Sequence, residues 1–465
     1  MKKRKGIILV SGIILSMLYV CLLVGCCANH DLSTQNTMEE LNTEAEQRLE
    51  MTDTTNVSTD AISETRESFT YEVDEKSILA NVPIYTYSSL SKNNDMGDGS
   101  EMLIFKNVET DEGYVSYRND LRSAGFQCYA ENEIEENMFS TWVNETITVT
   151  LMYIPMYERL HIVAEPKSQL SGLVEDNIYM DHGIENVIAQ VGGDYNGETK
   201  NGMCYIYRLC DGSFLVVDAP HESSECAEAL YETLRLLSPD QENIVIAAWF
   251  ITHAHNDHVG GVITFAQNYS GKVSLERLIY NFPHEKDFRR ADAYYSYAEE
   301  TKRLEEYYAD VDVIEAHPGQ IFNLRDAEIE MLYTWELMDS KVEYFNNTSL
   351  VFSVQLGGEK IMHLGDCGPI ASQMNVFMYD KYLKSDIVQV SHHGFHGAIT
   401  KHNELIDADI VLWPSNEAGY TDYWDAEYNH PFHDAQNVYV AEGNVTVLPL
   451  PYDPSGVEIW DAYGN

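Results

Sequence analysis

The densest group of metal-ligating side chains in the chain is His253-Ala254-His255-Asn256-Asp257-His258, followed by Val259-Gly260-Gly261. Imidazole and carboxylate are the usual protein ligands for zinc and similar divalent ions. His253 and His255 stand two apart, so on an extended loop both can reach one ion. Asp257 and His258 follow where a helix should begin, placed to reach a second ion a few ångströms away. The glycine pair lets the backbone pass close to such a site. A surface histidine cluster without a role is the bland reading. Four candidate ligands in one short block, directly after an apolar strand, count against it.

The elements that must position this block can be read around it. Ile244 to Ile251 is a continuous apolar run, as expected of a strand covered on both faces. Before it, Cys204–Leu209 and Phe214–Asp218 alternate as strands joined at Asp211-Gly212, a hairpin signal. A helix pattern covers Ser223 to Leu237. After it, Lys360 to Leu364 reads as a strand ending in Gly365-Asp366, and Asp386 to Val390 as a strand ending in Ser391-His392-His393-Gly394.

With these motifs in order, the chain resembles the metallo-β-lactamase superfamily, whose HxHxDH signature His253–His258 matches. The resemblance implies an αββα sandwich with a two-metal site at one edge. It makes Asp366 the metal-bridging carboxylate and Asp218 a group that orients a ligand histidine. Asn346-Asn347-Thr348-Ser349-Leu350-Val351, Gly365-Asp366, Ser391-His392-His393-Gly394 and Asn429-His430-Pro431 narrow it further. Over about 178 to 450 they are similar to the extracellular C-terminal domain of ComEC competence proteins and to phosphorylcholine esterases. β-Lactamases carry Gly-His-Thr-x-Gly before the Gly-Asp strand; here Asn346-Asn347-Thr348-Ser349 stands instead. The resemblance therefore carries the missing ligands to His393, on the first metal, and His430, on the second. The implied sets are His253, His255, His393 and Asp366, and Asp257, His258, His430 and Asp366. Neighbouring strand residues face opposite ways, so His392 and His393 should not share a metal. The resemblance favours His393 as ligand and His392 as a substrate-facing or ligand-supporting group, and the reverse order stays open. His363 is read as satisfied within the sheet and His317, before Pro318-Gly319, as a turn residue.

The rest of the chain bounds location and partners. Lys2, Lys3, Arg4 and Lys5 precede an apolar run, and Leu23-Val24-Gly25-Cys26 resembles the lipobox of bacterial lipoproteins. The resemblance implies that residues 1–26 are a lipoprotein signal with lipidation of Cys26; the alternative is an uncleaved membrane anchor. Either keeps the basic end cytoplasmic and the body on the outer face of the cytoplasmic membrane. Residues 27–70 are rich in Ser, Thr, Asn, Asp and Glu and read as a disordered acidic tether. Residues 71–174 read as a small α+β accessory domain, with strands at Val82–Tyr85, Phe126–Tyr129, Met138–Val143, Thr146–Tyr153 and Arg159–Ala164 and a helix at Tyr114–Ala124. Residues 175–465 read as the hydrolase domain that the resemblance implies. The formal charge of -46, from 75 acidic and 29 basic residues, disfavours long nucleic acid as a partner.

The resemblance implies two divalent ions, zinc or else manganese, which would lower the pKa of a shared water and polarise the attacked group. The expected reaction is hydrolysis of a phosphodiester in a small molecule or a cell-wall polymer. Asp257 is expected to orient the attacking water, and His392 to bond a phosphoryl oxygen or protonate the leaving group. Hydrolysis of a lactam, lactone or thioester is the alternative, and a non-catalytic surface binding module a third. Cys204 and Cys210 flank one strand without fixing a disulfide, and Cys367 reads as a small core residue. Tyr294, Tyr295, Tyr297, Tyr307 and Tyr308 read mainly as helix packing.

Overall fold

A computed structural model describes residues 69–97, 99–167, 181–193, 201–289, 291–339 and 341–461, with backbone alone at 291–296. The expected signal or anchor and nearly all of the tether lie outside these residues. No described helix is long and apolar enough to cross a membrane.

The body, Glu67–Asn465, forms one compact unit containing three sheets. The first is a small N-terminal domain of six antiparallel strands in the order Ser89–Gly97, Ser100–Lys106, Arg159–Pro166, Ile147–Ile154, Asn137–Val143, Gln127–Ile134. Alternation divides its side chains between two cores. Leu103, Phe105, Trp142 and Leu151 pack on Tyr114, Tyr117 and Leu121 of helix Glu112–Ser123. Met102, Ile104, Phe139, Met152 and Val163 point the other way and join Leu332, Trp335, Leu337 and Met378 of the larger domain. Both faces are thus buried, and the second is sealed by the larger domain.

The larger domain is a sandwich of two sheets. In the first, strands Asp312–Glu315, Arg277–Tyr280, Ile244–Phe250 and Phe214–Val217 run parallel. Tyr205–Arg208, Asn186–Val191, Asn444–Leu450 and Glu458–Asp461 continue it antiparallel. In the second, Ile321–Leu324, Ala327–Tyr333, Val351–Leu356 and Glu359–His363 are antiparallel neighbours. Ile387–Gln389, Ile410–Trp413 and Asn437–Val440 extend it in parallel. Tyr207, Leu215 and Phe250 meet Ile329, Phe352 and Leu412 between the sheets. Leu230, Leu234, Val262 and Ile263 of helices Ser224–Leu237 and Asn256–Tyr269 cover the outer face of the first sheet. Helix Pro369–Tyr379 and the small domain cover the second. The αββα sandwich is present, with an N-terminal sheet added to one side.

Most expected elements lie within a residue or two of their observed ends. Val82–Tyr85 is a correction: residues Ile78–Asn81 form a 3₁₀ turn and the chain stays irregular until Ser89. Pro83 offers no N–H to a ladder, and its carbonyl instead accepts from the Tyr117 hydroxyl, 2.7 Å away. The edge strand Ser89–Gly97 is polar along much of its length and offers no apolar alternation.

Candidate metal centre

The candidate ligands collect where parallel strands of both sheets end. Strand Phe214–Val217 ends at Asp218 and Ile244–Phe250 runs on to Thr252 and His253. Strand Glu359–His363 leads to Asp366, and Ile387–Gln389 to His392 and His393. His255 caps helix Asn256–Tyr269, whose first turn carries Asp257 and His258. Gly261 allows this helix to pack against the preceding loop, since a Cβ there would stand 2.4 Å from the Pro220 carbonyl oxygen.

Asp366 is the pivot, and its two oxygens face different partners. Oδ1 lies 3.1 Å from His258 Nε2 and 3.5 Å from His393 Nε2. Oδ2 lies 3.7 Å from His253 Nε2 and 3.9 Å from His392 Nε2. His253 Nε2 and His255 Nδ1 are 2.9 Å apart. Asp257 Oδ2 is 3.2 Å from His393 Nε2. Two tight groups result, His253 with His258 and Asp366, and Asp257 with His258 and His393, each with ligand atoms within 4.8 Å of one another.

Supporting contacts turn one nitrogen of several rings toward the centre. His258 Nδ1 donates to Asp218 Oδ2 at 2.8 Å, while Asp218 also accepts from Thr252 N at 2.7 Å and Thr252 Oγ1 at 2.8 Å. His393 Nδ1 donates to the Pro414 carbonyl at 2.9 Å, and His392 Nδ1 to the His396 carbonyl at 3.1 Å. Carbonyls and carboxylates only accept, so Nδ1 is the donor in each ring and Nε2 is the nitrogen turned toward the centre. Ser349 Oγ accepts from Asp366 N at 3.1 Å, and Thr348 Oγ1 meets Tyr297 OH at 2.8 Å. The segment that departs from the β-lactamase motif thus braces the site.

These residues fit divalent metal ions. His258 Nε2, Asp366 Oδ1 and His393 Nε2 are buried and have no hydrogen-bond partner. They lie close together but out of hydrogen-bonding alignment, an arrangement that costs free energy unless a cation takes the lone pairs. Burial, then neighbouring His258 and His255, holds His253 well below its ordinary pKa, as a neutral ligand requires. Burial would raise Asp366, but His258, His393 and His392 outweigh it and hold the carboxyl well below the usual range.

Of the expected ligands, His253, His255, Asp257, His258, Asp366 and His393 are brought together, with Asp218 behind them. Two expectations are corrected. His393 faces Asp257 and Asp366 Oδ1, on the second-metal side, rather than completing the first set. His430 is exposed, with Nε2 3.1 Å from the Asp425 carbonyl, and no described contact joins it to the centre. The alternation argument for His392 and His393 also fails in its premise. Both residues have left-handed φ, 50° and 56°, in a turn beyond the strand. That turn, rather than strand pleating, sends the two rings to opposite oxygens of Asp366. It closes on Gly394, at φ 83°, where a Cβ would meet the Trp413 ring at 2.0 Å.

The remaining histidines settle away from the centre. His363 is buried between the sheets against the Tyr207 hydroxyl, its pKa pushed down to about 3 by burial. His317 precedes its turn but is fully buried, between Glu165 and Glu336. Cys204, Cys210 and Cys367 are free and buried. Tyr297 packs beside His255 at 6.2 Å, Tyr308 is buried and Tyr307 exposed; the side chains of Tyr294 and Tyr295 fall outside the described residues. Sequence reasoning missed Asn201, which bonds Asp257, and His221, which bonds Asn201. The signal was present in Asp218-Ala219-Pro220-His221, directly after a site-forming strand.

Residues 199–394 match the family model of the metallo-beta-lactamase superfamily. Over that segment the chain is similar to this superfamily. The superfamily consists mostly of metallohydrolases, and its fold typically binds two metal ions. Among solved structures, the metallo-β-lactamase-fold protein YhfI from Bacillus subtilis is 15% identical, covering 57% of this chain and 99% of its own, with TM-score 0.36. Unliganded yeast PDE1 is 11% identical over 56% of this chain and 99% of its own, TM-score 0.35. CmlA, a diiron β-hydroxylase from Streptomyces venezuelae, is 12% identical over 62% and 55%, TM-score 0.35. No curated protein matches the chain.

Proposed function

We propose that this domain is a binuclear metal-dependent hydrolase of phosphodiesters, acting outside a bacterial membrane to which its N-terminus is anchored. The observation that carries the binuclear reading is Asp366, whose two oxygens face two histidine groups across a buried centre. His253, His255, His392 and Asp366 would hold one ion. Asp257, His258, His393 and Asp366 would hold the other. Zinc and manganese both suit this donor set. When bound, the ions supply a water acidified to near neutrality and positive charge for the attacked phosphoryl oxygen.

The chain's own residues supply position and proton control. Asp218 fixes the His258 ring, and the Pro414 and His396 carbonyls fix His393 and His392, so little reorganisation is left for the reaction. Asp257, half-buried at the edge of the second group, is placed to accept a hydrogen bond from the attacking water. The phosphodiester class rests on the similarity of the Ser391–Gly394 and Gly365-Asp366 motifs to ComEC-type domains and phosphorylcholine esterases. A small molecule or a cell-wall polymer fits the acidic chain better than long nucleic acid. The lipobox-like Leu23–Cys26 supports the anchor, and globomycin should cause precursor to accumulate if Cys26 is lipidated.

The test is turnover of bis(p-nitrophenyl) phosphate with zinc or manganese, beside Asp366→Ala. Metal-dependent turnover that disappears in the variant is expected. No turnover with either metal would remove the phosphodiester reading and bring lactam, lactone and thioester substrates, then a non-catalytic binding module, forward. Near-wild-type turnover in Asp366→Ala would remove the bridging role.

A further inference from the structure

The polar contacts of Asp257 extend outward through two residues that no motif covers. Asp257 Oδ2 accepts a hydrogen bond from Asn201 Nδ2. His221 Nε2 lies 3.0 Å from the Asn201 carbonyl oxygen and 3.1 Å from Asn201 Oδ1. A main-chain carbonyl can only accept, so His221 Nε2 carries the proton. The Asn201 atom beside it must then be the amide oxygen, and the amide nitrogen must face Asp257. His221 therefore fixes which way round the Asn201 amide stands. Were the amide reversed, its oxygen would face the Asp257 carboxylate and repel it.

Backbone contacts tie both residues to the site. Asn201 is bridged to Ser415, the residue after the Pro414 carbonyl that holds His393. His221 follows Pro220, whose carbonyl accepts from Gly261 N in the same helix that presents Asp257. Ala219 N likewise donates to the His258 carbonyl. Burial lowers the pKa of His221, in keeping with a neutral donor ring.

We propose that His221 is a positioning residue that acts through Asn201 to hold Asp257 in the orientation the second metal site needs. This rests on the two-metal reading above. The relay leaves the first site, on the far side of Asp366, untouched.

The experiment is calorimetric titration of the metal-free protein with zinc, for wild type, His221→Ala, His221→Gln and Asn201→Ala. Wild type is expected to bind two ions in distinguishable steps. His221→Ala and Asn201→Ala are expected to weaken the second step by about 10- to 100-fold and leave the first unchanged. His221→Gln, which offers an amide N–H at similar reach, should restore most of the loss. The unchanged first step serves as the folding control. Wild type binding fewer than two ions would overturn the two-metal reading itself. Two ions in wild type with an unaltered second step in His221→Ala would overturn the relay alone. So would equal weakening of both steps, or no recovery in His221→Gln.

Discussion

His317 is the sharpest test of how the N-terminal sheet is joined to the two-sheet sandwich. Its Nδ1 lies 2.9 Å from Glu336 Oε2 and its Nε2 3.3 Å from Glu165 Oε2, the latter on a strand of the small domain. All three side chains are buried. Burial would lower the imidazole pKa, but Glu336 and Glu165 outweigh it and hold it well above its ordinary value, so the ring is a cation between two anions. His317→Leu removes that cation and leaves two uncompensated carboxylates in the seam, a change that costs about 3–5 kcal/mol. For a body of about 400 residues the unfolding entropy is near 0.8 kcal/mol/K, so the melting midpoint should fall by about 4–6 °C at pH 7. Glu165→Gln leaves a neutral His317–Glu336 pair and should cost about 1 kcal/mol. The pH dependence follows from the raised pKa. The stabilisation is complete below about pH 6.5, the ordinary histidine value, and is lost as pH rises through the folded value. Wild type should therefore lose stability above neutrality with a slope that His317→Leu lacks. Calorimetric melts from pH 6 to pH 9 read both effects. A His317→Leu midpoint within about 1 °C of wild type at pH 7 would refute the clamp.

Three further outcomes follow from the centre. Asp218→Asn replaces the acceptor for His258 Nδ1 and both Thr252 donors, so metal affinity should fall about 10- to 100-fold in chelator competition, with the fold retained by circular dichroism. His392→Ala should lower bound metal from about two ions to about one by elemental analysis, whereas His430→Ala, in a surface residue, should change metal content and turnover by less than about twofold. Gly394→Ala combines a left-handed backbone with a clash against Trp413, so it should cost about 2–4 kcal/mol in urea unfolding and displace His393 from the second site.

What the sequence revealed and what it hid follow one physical divide. His253, His255, Asp257 and His258 are legible because a strand, a tight loop and a helix start place them together whatever the rest of the chain does. The sandwich strands were legible for the same reason: apolar runs such as Ile244–Phe250 are local statements about burial. The N-terminal edge strand Ser89–Gly97 was not, because its side chains are half-buried or exposed along its length and the apolar pattern that marks a strand is missing. His392 and His393 mark where a local rule misleads. Pleating alternates side chains only while the backbone stays extended, and two left-handed residues replace that rule with a turn whose geometry Gly394 and Trp413 set from outside. His430 was assigned on the resemblance of the Asn429-His430-Pro431 motif, and a short motif does not say whether its 3₁₀ segment lies at the surface, as it does here, or at the buried carboxylate. His221 and Asn201 meet only because the loop after Val217 crosses the end of another segment. A contact that depends on two chain segments closing on each other leaves no periodicity to read. Such contacts are also the ones that fix the orientation of ligands found by motif, so the motif identifies the chemistry while the unmarked residues around it set how well the chemistry is held.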